Sequence, residues 1–213
     1  MAALSKSSIV AAIRTGGLTI SPILSSKQLG RSSVDLRMGT VALMARAGAQ
    51  SHVDPEAYMS ETKSPGTHDP VRRRQQKHER FDIPFGYYFL LHPGSLALVP
   101  TLEWLKLPME LQGIVTARSS WAREGLNIAT ATIINPGYQG IVTLELANFG
   151  EIPIKLFPGL RLAQLALYRM ESVDPGLDGG VDESQFDLSF EPSAGNVSKG
   201  DEPFILEGRK VPI

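Results

Sequence analysis

A mainly β domain, a barrel or a jelly-roll-like sandwich with one short N-terminal helix, is what the amino-acid sequence predicts. Three observations carry that expectation. From Phe81 onward short apolar runs are punctuated by turns, as in "GYYFLLHPGSLALVPTLEWLKLP" and "IATATIINPGYQGIVTLELANFG". His92-Pro93-Gly94, Asn135-Pro136-Gly137 and Phe157-Pro158-Gly159 are Pro-Gly turn signals, in which proline presets φ and glycine accepts φ > 0. Earlier, "GRSSVDLRMGTVALMAR" sets Val34, Leu36 and Met38 against Asp35, Arg37 and Gly39, the period of two that marks a strand.

The elements follow in order. Ser7 or Ser8 is placed to cap a short helix whose apolar positions Ile9, Val10 and Ile13 recur at helical spacing before Gly16-Gly17 stops it. The strand in "GRSSVDLRMGTVALMAR", residues 30–46, comes next. From about 46 to 80 the apolar pattern fails, and "ETKSPGTHDPVRRRQQKHER" is polar, turn-rich and charged. Arg72, Arg73, Arg74, Lys77 and Arg80 read as a solvated loop or short exposed helix in preference to a nucleic-acid patch, because no aromatic side chains are interleaved to stack on bases. A partner or subunit contact is the alternative for so long an excursion. Short strands then run to about residue 170. Residues 171–213, rich in Gly, Asp, Ser and Pro, read as a C-terminal tail that orders only against something else, such as a lid over a site.

With 213 residues the chain suits a single domain, 1–170, able to bury a sizeable core. Its 42% hydrophobic and 20% charged residues are those of a soluble globular protein, and a net charge of -1 argues against nucleic-acid binding through overall charge. No apolar run approaches a membrane span and the N-terminal apolar core is short for a signal peptide, so a cytoplasmic protein is expected. The absence of cysteine excludes disulfides, thiol nucleophiles and thiolate metal sites. His52, His68, His78 and His92 lack zinc-ligand spacing, so no zinc site is expected. Hydrolysis would have to use oxygen and nitrogen side chains or an oxygen-bound magnesium.

Two stretches could carry chemistry. "TARSSWAREGLNIAT" places Ser119 and Ser120 between Arg118 and Arg123, beside Gly125, where the chain otherwise alternates like a strand. Guanidinium groups, hydroxyls and turn amides of this kind can engage phosphate oxygens. The same residues could instead form subunit salt bridges, cap a turn and end a strand. In "GIVTLELANFG", alternation puts Thr143, Glu145 and Ala147 opposite Val142, Leu144 and Leu146. A lone carboxylate there is exposed, salt-bridged or catalytic. Trp121 reads as packing rather than stacking, since neighbours along a strand face opposite ways.

Taken together, "HPGSLALVPTLEWLKLP", "ARSSWAREGL", "TATIINPGYQGIVTLELANFG" and "PIKLFPGLRLAQL", with the earlier "SSVDLRMG", resemble the dCTP deaminase branch of the dCTP deaminase/dUTPase superfamily. The resemblance covers residues 4–40 and 85–170. It implies a distorted, dUTPase-type β-barrel subunit, a homotrimer with active sites between subunits, and a deoxynucleoside triphosphate substrate carrying magnesium on its phosphates.

By the same resemblance Glu145 is the general base and acid for water attack on C4 of cytosine, and Ser119 and Arg123 orient that water. Arg118 and Ser120 grip the phosphates, and Thr143 and Leu144 place backbone groups and shape beside the nucleotide. Asn135 stands where the family has an aspartate that contacts the sugar and, in the dUTPase branch, activates the hydrolytic water. Ile128 stands where a histidine is common. The leading expectation is deamination of dCTP to dUTP and ammonia with the triphosphate intact. A dUTP diphosphatase-like hydrolase and a non-catalytic nucleotide-binding trimer are the alternatives.

Overall fold

The computed structural model describes residues 2–45, 78–128, 133–171 and 188–192. Near its start Leu4 is buried, and its N–H bonds the Leu167 carbonyl at 2.8 Å, so the chain is held there and turns helical at once. Helix α1 (Lys6–Arg14) is therefore capped by Ser5, whose Oγ accepts the Ser8 N–H at 3.3 Å. Ser7 and Ser8, the expected caps, lie within the first turn, their Oγ atoms 2.9 and 3.0 Å from that of Ser5. The helix gives way after Thr15 to Gly16, as the sequence suggested.

The strands form two main sheets. One is ordered β1 (Ala2–Ala3), β13 (Arg161–Arg169), β8 (Leu111–Ala117), β10 (Ile133–Ile134), and β3 (Ser33–Arg37) also pairs with β13. The other runs β5 (His78–Asp82), β4 (Val41–Ala45), β7 (Leu96–Lys106), β11 (Gln139–Asn148), β9 (Leu126–Ile128), and β2 (Thr19–Ser21) also pairs with β7. Strands β6 (Phe89–Leu91) and β12 (Ile154–Leu156) make a two-stranded ribbon. The two long central strands are antiparallel to their partners, β13 against β8 and β7 against β11.

Val115 and Leu165 from the first sheet and Val99, Leu144 and Leu146 from the second are sealed into one apolar cluster. That shared core makes the fold a two-layer sandwich, the arrangement period-two strands reach when each buries one face. Among the described residues the hydrogen-bonded orders stay separate, with an isolated bridge, Met38 to Thr101, running from the end of β3 to β7. The mainly β, barrel or jelly-roll-like expectation is met, and among the described residues the sheets are not seen to close into a barrel. All three Pro-Gly turns form. Ser95, Tyr138 and Leu160 donate their N–H groups back to His92, Asn135 and Phe157 at 3.1, 3.3 and 3.2 Å, with the glycines at φ 70, 80 and 87°.

Two compact units divide the chain. Residues 1–44 and 80–193 form the first, which holds these elements apart from Ala45, His78 and Glu79. Those three are the described part of the second unit, residues 45–79 and 194–213. The expected polar excursion is shortened at its end, because residues 78–82 are strand β5. Arg80 is not a free loop cation: it bonds Asp82 at 3.0 Å and Glu191 at 2.6 Å. Arg72, Arg73, Arg74 and Lys77 lie outside the described residues. Within the expected tail, Leu188 N–H reaches Gln139 O at 2.7 Å and Ile141 N–H reaches Ser189 O at 3.0 Å, so this segment adds to the start of β11.

Candidate active site

Strand β11 positions Glu145. It pairs with β7, where Glu145 faces Leu98, and with β9, where the neighbouring Leu146 faces Ile128. Val142, Leu144 and Leu146 are buried in the shared core, whereas Thr143 and Glu145 remain partly exposed on the other face, as alternation required. Ala147, the third member of that face, is itself nearly covered. Directly paired residues share a face, so Leu43, Leu98 and Glu145 stand in line across β4, β7 and β11. Partial burial in this apolar company pushes the Glu145 carboxyl above the ordinary glutamate range, since desolvation disfavours the anion. A carboxyl raised in this way, with water access, is suited to take up a proton and give it back.

The Arg118–Arg123 stretch departs from the strand-like expectation. Strand β8 ends at Ala117, and Ser119–Arg123 form a short helix, α2, closed by N–H bonds from Trp121 and Ala122 to the Arg118 carbonyl at 2.9 and 3.1 Å. The reason is local. Residues 118–125 contain no β-branched side chain, while Ala122, Arg123 and Glu124 favour helix. Trp121 does pack, but from a helix: its ring lies against the core and its Nε1 donates to Arg161 O at 2.9 Å.

Gly125 ends α2 at φ 86° and joins it to the end of β11, where Phe149 N–H bonds Gly125 O at 2.9 Å. Ser119, Ser120 and Arg123 are exposed around this turn, and Arg118 is partly buried. The serines and arginines thus sit past the end of β11 that lies beyond Glu145, joined to it through Gly125 and β9.

The structure does not gather every predicted residue in one place. Asn135 is exposed in the turn ahead of β11, and from Gln139 to Glu145 the strand advances about 20 Å. The Leu144 side chain is fully buried, so only its backbone is available to a nucleotide. Ile128 points into the core, as an apolar side chain at that position must.

Sequence reasoning missed a set of buried polar groups. Asp35, 7% exposed, accepts from Arg161 Nη1 at 3.1 Å and Gln164 Nε2 at 3.3 Å, and lies 3.6 Å from Arg118 Nε. Glu103, fully buried, accepts from Gln28 Nε2 at 2.8 Å, Arg37 Nη1 at 3.1 Å and the Arg37 backbone N–H at 2.7 Å. Burial pushes the Glu103 carboxyl up, against the downward pull of the Arg37 backbone and guanidinium. The signal was present in "SVDLR", whose polar residues alternate with core residues. It reads as a solvent face until a second layer is known to cover it. Among the described residues no three His, Asp or Glu side chains are grouped to hold a metal ion, and no helix is long and apolar enough to cross a membrane.

The mainly β fold thus carries a partly buried carboxyl on one strand and arginines and serines on an adjoining turn, groups able to exchange protons and to bind anions. Residues 3–170 match the family model for dCTP deaminase-like proteins. The chain is 36% identical over 162 residues to a dUMP-forming dCTP deaminase of Dictyoglomus thermophilum, covering 75% of this chain and 76% of that one. It is 33% identical over 219 residues to the dUMP-forming dCTP deaminase of Methanosphaera stadtmanae, covering 99% and 100%. A crystal structure of 2'-deoxycytidine 5'-triphosphate deaminase from Agrobacterium tumefaciens superposes with a TM-score of 0.58 at 24% identity, over 79% of this chain and 48% of that chain. This chain spans about half of that neighbour's length, and the likeness there is one of fold. The chain belongs to the dCTP deaminase family. Both curated relatives are named for forming dUMP, which runs against the expectation of dUTP as the end product.

Proposed function

We propose that the protein hydrolytically deaminates dCTP. The observation that carries the reading is Glu145, a partly buried carboxyl of raised pKa on a rigid strand of a dCTP deaminase-family fold. Glu145 takes a proton from water as its oxygen bonds to C4 of cytosine, and returns a proton to the amino group, which leaves as ammonia. Ser119 and Arg123 orient the water, and Arg118 and Ser120 hold the phosphates. Asn135 bonds the sugar through its amide, and Thr143 and Leu144 contribute backbone groups.

Magnesium belongs to this reading as a passenger of the substrate, held by hard phosphate oxygens, which suit it. A homotrimer with sites between subunits also belongs to it. The placing of Asn135 in the turn ahead of β11, while Glu145 stands six residues into the strand from Gln139, supports that arrangement.

The names of the relatives favour a second step, attack of water on the α-phosphate to give dUMP and pyrophosphate. One observation favours stopping at dUTP: position 135 is a neutral amide, which cannot accept the proton of an attacking water. Incubating the purified protein with dCTP and magnesium, then measuring ammonia and separating the nucleotides, tests both levels. Ammonia release is the expected result, and its absence while dCTP binds would leave the non-catalytic trimer. The ratio of dUMP with pyrophosphate to dUTP decides the end product.

A further inference from the structure

We infer that Asp35 is a positioning residue, a buried carboxylate clamp that sets Arg118 and recruits Arg161 to the phosphate-binding side of the site. The inference rests on the reading that Arg118 grips the substrate phosphates.

Asp35 lies on β3, Arg161 and Gln164 on β13, and Arg118 at the start of α2, so three elements converge on one carboxylate. Its Oδ2 accepts from Arg161 Nη1 at 3.1 Å, and its Oδ1 accepts from Gln164 Nε2 at 3.3 Å and faces Arg118 Nε at 3.6 Å. One backbone bond and one side-chain-to-backbone bond hold the same corner together. Arg118 N–H bonds Leu162 O at 3.0 Å, and Trp121 Nε1 bonds Arg161 O at 2.9 Å.

The chemistry of the corner is that of a preorganised anion holder. Two guanidinium groups side by side repel, and without a counter-charge they would splay into water. One buried carboxylate between them holds both and leaves the trio with a net charge of +1, from two cations and one anion. The exposures differ in the same sense: the Asp35 side chain is 9% exposed, those of Arg118 and Arg161 29% and 39%. The carboxylate is therefore withdrawn, while part of each guanidinium remains open to solvent. Holding binding groups in place before the ligand arrives removes the ordering cost of binding.

Removing Asp35 separates this role from simple charge, because the two predict opposite signs. By Coulomb attraction alone, Asp35→Asn raises the local charge and tightens the binding of an anion. As a clamp, Asp35→Asn frees both arginines and weakens it. The test is calorimetric titration of wild type, Asp35→Asn and Asp35→Glu with inorganic tripolyphosphate, magnesium·dCTP and deoxycytidine, alongside dCTP deamination kinetics. Expected for Asp35→Asn is a loss of about tenfold or more for tripolyphosphate and dCTP, falling on KM more than on kcat, with deoxycytidine binding unmoved.

Asp35→Glu keeps the charge and displaces the carboxylate by one methylene, so a loss of tripolyphosphate affinity is expected there too. It also serves if Asp35→Asn fails to fold. Equal or tighter tripolyphosphate binding by a folded variant overturns the clamp, and so does an equal loss for deoxycytidine. If wild type binds neither dCTP nor tripolyphosphate, the phosphate reading of Arg118 fails first and the clamp with it.

Discussion

Replacing Gly125 by alanine perturbs the junction that ties α2 to β11, and its cost can be worked out from geometry. Gly125 has φ 86°, and a Cβ built there would stand 2.6 Å from the Gly150 nitrogen and 2.8 Å from its Cα. The left-handed conformation alone costs a non-glycine residue about 1–2 kcal/mol. The clash is with backbone, which cannot swing aside as a side chain end could, and forced shifts of this kind add about 1–3 kcal/mol. The sum is roughly 2–5 kcal/mol, or a fall in Tm of roughly 4–20 °C at about 2–4 °C per kcal/mol for a chain of this size.

Gly94→Ala is the matched control. Its φ is 70°, but no heavy atom lies within 4 Å of a built Cβ, so only the conformational cost applies. Thermal unfolding of wild type and both variants by circular dichroism gives the comparison. Gly125→Ala should lose clearly more than Gly94→Ala, and should also lower ammonia release, because α2 carries Ser119 and Arg123. Equal Tm losses for the two variants would refute the claim that close backbone approach, rather than φ alone, requires glycine at 125.

Further outcomes bear on the chemistry. Glu145→Gln keeps shape and removes the base, so ammonia release from dCTP should fall about 10²–10⁴-fold with dCTP affinity little changed; turnover like wild type would remove Glu145 from the mechanism. Since burial raises the Glu145 pKa, its anion is lost on acidification earlier than that of an exposed glutamate; with Glu145 as the proposed base, the acid limb of kcat/KM should lie above about pH 4.3, and a limb at or below it would contradict that role. Glu103→Leu leaves the Arg37 guanidinium buried without its partner and should cost about 3–5 kcal/mol in urea unfolding, a loss that exposed pairs do not produce. Asn135→Asp restores a proton acceptor, so the ratio of dUMP to dUTP released from dCTP should rise; an unchanged ratio would show that position 135 does not select the end product.

How far each feature was legible depended on whether its cause was local. The Pro-Gly turns were readable because proline and glycine impose their backbone angles wherever they stand, and the strand carrying Glu145 was readable because alternation against a core has a fixed period. Helix α1 was found, but its cap was set by the distant Leu4–Leu167 bond, which no window of sequence contains. The α2 turn was hidden because it lies between stretches that alternate like strands, and only the lack of β-branched residues over Arg118–Gly125 marks the change.

The buried polar set was the least legible for a related reason. Asp35 and Arg37 alternate with Val34 and Leu36 as solvent-facing residues would, and only the packing of β13, α2 and β7 against them turns that face inward. Burying a carboxylate is costly unless charged donors converge on it, so each of these acids fixes the placement of the groups around it. Glu103 draws in Gln28 and Arg37 and thereby ties the β3 segment to β7. Asp35 draws in Arg118 and Arg161 from two further elements. The opening motif "ARSSWAR" was recognisable from its own residues, but the carboxylate that orients its first arginine lies 83 positions earlier in the chain, at a distance only the folded sheet closes.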